Sequence, residues 1–252
     1  MIPYRDENET QRRAIVTGAI IGLNVFTWIV IQGAGADFPL AKSVCELGLI
    51  PGELTASLPV GTRFPMGPGL VCTTDPGLQI SHLLTSMFLH GSWMHLLGNM
   101  WFLWIFGNNI KDSMGRLRFI AFYLITGLAA AFGQVVTNPD SVIPMVGASG
   151  AISGVMGAYL VLYPRVKVYA LIPIFIFFTS IALPAWVMLG YWFVIQLVSG
   201  LASSGEIGGV AFWAHVGGFV AGVVLIKSFT REEYLQAHRA HRWRPQRLMR
   251  EW

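Results

Sequence analysis

The chain has 252 residues, 54% hydrophobic and 12% charged, about half the ~25% charged share of an ordinary soluble domain. That deficit excludes a soluble globular domain of usual composition and argues for a membrane protein, with its 9 Trp and 16 Phe suited to interfacial belts and lipid-facing surfaces. A formal net charge of +4 would suit a nucleic-acid partner, but the basic residues are spread over loops in the pattern of a membrane protein, which argues against one.

Residues 1–13 form a polar lead of mixed charge, without the pattern of a cleaved signal. Uncharged intervals then follow at 14–36, 76–110, 119–139, 141–164, 168–205 and 207–226, and a helix needs ~20 apolar residues to cross a bilayer. The first helix is expected over 14–33. Residues 37–79 form one long extracytoplasmic loop, so dense in proline and glycine that much of it should be irregular; a loop of that length in a compact fold is usually functional. Both cysteines, Cys45 and Cys72, lie in it. They either form a disulfide, contributing roughly 3–4 kcal/mol in the chain-entropy model, or remain two unrelated thiols. The second helix is expected over 92–109 and the third over 117–136, with an outer turn at 137–144 leading to a fourth that starts at Ser149. Interval 168–205 is too long for one helix and is cut by Pro173 and Pro184. Residues 168–183 read as a partly immersed or interfacial piece and 184–201 as the fifth span, the alternative being two spans there and seven in all. The sixth span is expected over 210–226. The tail, 230–252, mixes arginines with Trp243 and Trp252. It either lies on the anionic inner leaflet or, more plainly, is a solvated end.

Lys and Arg set the orientation. Arg5, Arg12 and Arg13 precede the first span, Lys111, Arg116 and Arg118 lie between the second and third, Arg165 and Lys167 follow the fourth, and seven follow the sixth. Only Lys42 and Arg63 fall on the other side, so fifteen of the 17 share one face. The expected fold is therefore an all-α polytopic bundle of six transmembrane helices over 14–229, with cytoplasmic lead and tail; seven spans would spoil that count.

Four polar residues stand out in the uncharged intervals: Ser149 within Gly147-Ala148-Ser149-Gly150, His215 within Ala214-His215-Val216-Gly217-Gly218, and His95 with Asn99, four positions apart. If the second, fourth and sixth helices all run inward, all four lie within ~10 Å of the outer face at 1.5 Å per residue. Polar groups from three helices at one depth need a shared, watered cavity, because each costs several kcal/mol if buried in lipid unpaired. Each also has a plainer role. A membrane-helix serine often bonds back to a backbone carbonyl; Gly150 with Gly154, Ser149 with Ser153 and Gly157, and Gly218 with Gly222 form small-xxx-small rows that bring helices close; His95 and Asn99 would serve as an interhelical hydrogen-bond pair, His215 as a proton-relay or ligand residue, and His82 and His90 as ordinary loop or helix-start residues. The chemical reading gives every part a role, with Ser149 as nucleophile, His215 as general base, and the Ser149 N–H, His95 and Asn99 as oxyanion donors. No Asp or Glu in the spans can orient the histidine, which rules out an intramembrane triad and leaves a Ser–His dyad. Metal-ligand spacing is missing, and no cofactor is expected.

These residues resemble a rhomboid intramembrane serine protease of the bacterial six-helix form, over roughly residues 49–227. The family's GxSG is similar to Gly147-Ala148-Ser149-Gly150, its HxxxN to His95 with Asn99 preceded by His90, and its last-span histidine with spaced glycines to His215, Gly218 and Gly222. The resemblance implies a Ser149–His215 dyad with an oxyanion site of Ser149 N–H, His95 and Asn99. It also implies a first loop partly in the membrane and a fifth span, bearing Trp186, Trp192 and Phe193, that gates lateral substrate access. Such proteins cut other membrane proteins near the outer end of a transmembrane helix, preferring a small residue before the cut and a locally unstable helix. Some carry a tyrosine four positions after the serine, stacked on the histidine; here it is Ser153, so another ring would have to position His215. A prokaryotic cytoplasmic membrane is the expected location, the bilayer and single-span or polytopic membrane proteins the expected partners. Two other classes remain open: a catalytically silent relative that binds membrane-protein clients, and a small-solute carrier, against which stands the lack of internal repeats or midplane charges.

Overall fold

The computed structural model describes residues 1–67, 69–174, 177–203 and 210–241. In chain order its elements are β1 (Ile2–Asp6), α1 (Ile15–Phe26), α2 (Asp37–Leu47), α3 (Pro51–Leu54), β2 (Arg63–Gly67), β3 (Leu70–Thr73), α4 (His82–Thr85), α5 (Trp93–Met114), α6 (Arg116–Thr137), α7 (Ser149–Leu162), β4 (Lys167–Ile174), β5 (Phe177–Pro184), α8 (Ala185–Ala202), α9 (Phe212–Phe229) and α10 (Glu232–His241). Helices α6, α8 and α9 are long and apolar enough to cross a membrane; α7, and α1 with its π-helical continuation to Ile31, are apolar but shorter. Leu128, Phe132, Val194, Val198 and Val224 stand exposed on the outward faces of the long ones. Apolar surface on that scale suits lipid rather than water, and the protein is a mostly helical membrane protein.

Helix α7 runs through the centre and buries Gly150 to Tyr159 without a break. Its glycines explain how: a Cβ on Gly218 of α9 would strike the Gly150 carbonyl oxygen, and one on Gly222 would strike that of Gly154. Two helices whose backbones touch in this way have no side chain between them to slide on.

Four features depart from the sequence expectations. First, α5 runs on past 109 to Met114. Lys111 and Asp112, which close the uncharged interval, have side chains only 1% and 2% exposed and pair at 2.9 Å. Lys111 Nζ also donates to the Arg12 and Arg13 carbonyls, and Asp112 Oδ2 accepts from the Gln11 and Arg12 N–H groups. Charge ends the apolar sequence there but not the helix, because the N-terminal lead satisfies it. Second, more than half of residues 37–79 lies in short helices and a hairpin, with irregular stretches between them. Proline falls in the first turn of α2 (Pro39) and of α3 (Pro51), where no N–H is needed, and β2 pairs with β3. Cys45 and Cys72 are bridged, with Cα atoms 5.6 Å apart, which ties α2 to that hairpin. Third, the all-α expectation fails at 168–183. Strands β4 and β5 form an antiparallel hairpin in register from Lys167↔Pro184, and β1 of the lead adds to it in the order β1-β4-β5. The run is rich in Val, Ile, Phe and Tyr, which favour strands; apolarity alone does not separate an immersed segment from a hairpin. Fourth, the tail begins as a docked helix rather than a solvated end. Leu235 of α10 is buried, and Tyr234 packs beneath Gly115 and under the Arg12 guanidinium, 3.6 Å from the ring centroid. Trp243, Trp252 and the rest of 242–252 lie outside the described residues.

Candidate active site

Ser149 is the first residue of α7, delivered by a loop held at two points: Met145 bridges to Leu49, and the Gly147 N–H donates to the Ser86 carbonyl at 2.9 Å. Gly147 has φ +129, a conformation other residues rarely adopt. A Cβ there would lie 2.7 Å from His95 Nε2 and 3.5 Å from Ser149 Oγ, so glycine keeps open the space that both side chains face. No side chain caps α7, leaving its first-turn N–H groups and the positive end of its dipole at Ser149.

The glycine contact between α7 and α9 carries His215 to this point. His215 Nε2 lies 2.8 Å from Ser149 Oγ, and Nδ1 lies 2.7 Å from Gln196 Oε1. An amide oxygen can only accept, so Nδ1 carries the proton and donates to Gln196, leaving the Nε2 lone pair to accept from the serine hydroxyl. Gln196 went unnoticed in the sequence, although it is the one amide in the interval 184–201 and an amide in an apolar span is a signal in its own right. Trp192, one turn earlier on α8, supplies the ring beside His215, with centroids 5.8 Å apart and planes tilted by 40°. Ser153 takes the plain role, donating to the Ser149 carbonyl at 2.6 Å.

Helix α5 brings two further donors. Ser92 caps it, its Oγ accepting from the His95 N–H at 3.1 Å. His95 Nδ1 accepts from the Gly91 N–H at 3.3 Å, which leaves an Nε2–H directed at the Gly147–Ser149 side. Asn99, one turn on, is buried with its Nδ2 unpartnered. His90 packs edge-on against His95 at 5.1 Å with its peptide clamped on both sides by the Gln32 amide. Burial, and then the nearby His95, push the His90 imidazole down to about 3, so it stays neutral. His82 is buried on α4, away from these residues' cavity. Among the described residues no three His, Cys, Asp or Glu gather to hold a metal. The cavity on which Ser149, His215, His95 and Asn99 converge has a volume of about 540 Å³, with Phe102, Met156, Trp192 and Val210 in its apolar wall. It is roomy enough for small side chains and a stretch of extended backbone.

A family model described as the rhomboid domain matches residues 77–232. The chain is similar to Rhomboid-like protease 5 of Toxoplasma gondii, 31% identical over 154 residues, which is 58% of this chain and 16% of that protein. It is similar to the human presenilin-associated rhomboid-like protein, mitochondrial, 31% identical over 161 residues, 60% of this chain and 39% of that one. RHOMBOID-like protein 5 of Arabidopsis thaliana is 30% identical over 133 residues, 49% and 43% of the two chains. The chain thus spans less than half the length of the curated relatives it matches. These relatives are eukaryotic, one of them mitochondrial by name, and lend no support to a prokaryotic cytoplasmic membrane.

Proposed function

The chain belongs to the rhomboid family, and on that premise we propose that it is an intramembrane serine endopeptidase that cleaves transmembrane helices of other membrane proteins through a Ser149–His215 dyad. The observation that carries this reading is the chain of contacts from Gln196 Oε1 through both His215 nitrogens to Ser149 Oγ, at 2.7 and 2.8 Å. It is the tautomer and the alignment that general-base catalysis needs.

In the proposed reaction the Ser149 hydroxyl attacks a peptide carbonyl while its proton passes to His215 Nε2. The tetrahedral oxyanion accepts from the Ser149 N–H, His95 Nε2–H and the unpartnered Asn99 Nδ2. His215 then gives its proton to the leaving amine, and water, activated by the same nitrogen, releases the acyl group. A substrate helix must unwind to expose its carbonyl, so a locally unstable helix with a small residue before the cut is the expected target.

The proposed topology has six spans, α1 and α5 to α9, over 14–229, with the lead and the basic tail in the cytoplasm. Fifteen of 17 Lys and Arg on one face support it, as does a cavity at the opposite end of α5 from its charged terminus.

The test is cleavage of a single-span model substrate in liposomes by the parent, Ser149→Ala and His215→Ala. Cleavage by the parent and loss in both variants is expected. A folded parent that neither cleaves a panel of helices nor labels at Ser149 with a fluorophosphonate would overturn the reading and favour a silent, client-binding protein.

A further inference from the structure

At the far end of the bundle from the cavity, α5 ends, Gly115 turns the chain at φ +85, α6 begins and α10 docks alongside. The pocket between them holds about 400 Å³ and is lined by Arg12, Lys111, Arg116, Arg118 and Arg231, with no carboxylate in its wall among the described residues. Lys111 is neutralised by Asp112. Arg118 donates to the Phe229 carbonyl at 3.1 Å. Arg12 and Arg231 lie over the Tyr234 ring, and Arg231 is 3.8 Å from the exposed Glu233. Neither the carbonyl nor the ring cancels a charge, and Arg116 has no partner among the described residues. Helix α6 starts here with no capping side chain and no acidic residue in its first turn, so its free N–H groups and positive dipole end face the same space. Four guanidinium groups from three segments and an open helix start therefore surround one volume with no carboxylate in its wall among the described residues. An anion with several oxygens, such as a phosphate group, matches those donors.

The rim separates a lipid from a free anion. Leu117 is 83% exposed, and Ile120 and Leu128 continue an exposed apolar row on the same side of α6. Acyl chains would cover that row; inorganic phosphate would leave it bare. We infer that this pocket binds the phosphate headgroup of an anionic phospholipid, whose chains lie along α6 from Leu117.

The inference stands apart from the protease reading, because binding is measured without activity. The full chain in uncharged detergent would be melted while titrated with short-chain phosphatidylglycerol, with phosphatidylcholine of the same chains, and with inorganic phosphate. Phosphatidylglycerol is expected to raise Tm saturably and the other two not. Arg116→Gln, which breaks no internal contact, and Arg12→Gln should each weaken the apparent affinity about fivefold, the worth of one basic residue at an anionic membrane surface (~1 kcal/mol). Arg63→Gln, on the opposite side of the bundle, should leave it unchanged. An equal shift with phosphatidylcholine, an equal shift with phosphate alone, or a phosphatidylglycerol shift indifferent to Arg116→Gln would each overturn the assignment.

Discussion

Gln196→Leu removes the acceptor that holds the His215 Nδ1–H at 2.7 Å while filling much the same volume beside Trp192. A hydrogen bond between neutral groups is worth ~0.5–1.5 kcal/mol net, and one to a charged group ~1.5–3. In the proposed mechanism His215 is neutral before attack and an imidazolium as the serine proton arrives. The amide oxygen therefore supports the transition state more than the ground state, by ~1–1.5 kcal/mol, and its loss should lower kcat about tenfold and leave KM alone. His215→Ala removes the base itself and should cost ~10⁴-fold or more. Initial cleavage rates in liposomes, measured against substrate mole fraction, separate the two constants. Gln196→Glu keeps an acceptor oxygen at the same reach and should restore most of the rate. A parental kcat in Gln196→Leu, or a loss as deep as that of His215→Ala at an unchanged melting temperature, would refute the positioning role.

Other outcomes follow from the same geometry. Gly147→Ala forces φ +129 on a residue with a Cβ and puts that atom 2.7 Å from His95 Nε2; losing one oxyanion donor in this way should lower kcat ~10²-fold, read in the same cleavage assay. The bridged Cys45 and Cys72 are 27 positions apart, so Cys45→Ser with Cys72→Ser should remove ~3.5 kcal/mol, seen as a lower melting temperature, while the parent in reductant approaches the double variant. The folded protein keeps His90 neutral down to about pH 3, whereas the unfolded chain takes up a proton below the ordinary histidine value of 6.5. Stability from this group is thus complete above 6.5 and declines as pH falls toward 3; between about pH 7 and 5 the loss is ~2 kcal/mol. His90→Gln should flatten the fall in Tm over that interval relative to the parent.

The helices were legible where an apolar run ended in a turn. Helices α6 and α9 start and stop within a few residues of the uncharged stretches that announce them, and α8 starts just after Pro184, the proline that cuts its longer stretch. Charge misled at Lys111 and Asp112, because nothing within that interval shows that residues 11–13 return from far along the chain to satisfy the pair. The β4–β5 hairpin was hidden for a different reason: period-2 alternation is lost when a strand is apolar on both faces, and only the pairing with β1 decides its form. In the site, Ser149 and His215 were readable because small residues at four-residue spacing announce a backbone contact. Gln196 and Trp192 were not, since their role depends on how α8 is rotated about its axis, which local spacing leaves open. Asn99 was found through its spacing from His95, but that its amide is unpartnered is a property of the packed bundle.

The two sources of order in the site have different strengths. The spacing of the Ser149 and His215 backbones is set by glycines of α7 and α9 whose backbones touch, and cannot change without separating two central helices. The rotation of the His215 ring is set from α8 alone, through Gln196 and Trp192. Helix α8 buries little else: besides Gln196, only Ala185, Met188, Leu189 and Gly200 are buried on it. A buried amide in an apolar span is unfavourable unless bonded, so the bond to His215 also holds α8 in place. On the reading that α8 gates lateral access, moving it outward strands both the amide and the Nδ1–H at once and frees the ring to turn. The nucleophile and base then stay within reach of one another but lose the hydrogen bond that favours the effective tautomer and supports the imidazolium. On that reading a substrate helix is cut about tenfold faster once α8 has settled back against His215, which ties the proposed chemistry to closure of the same helix that admits the substrate.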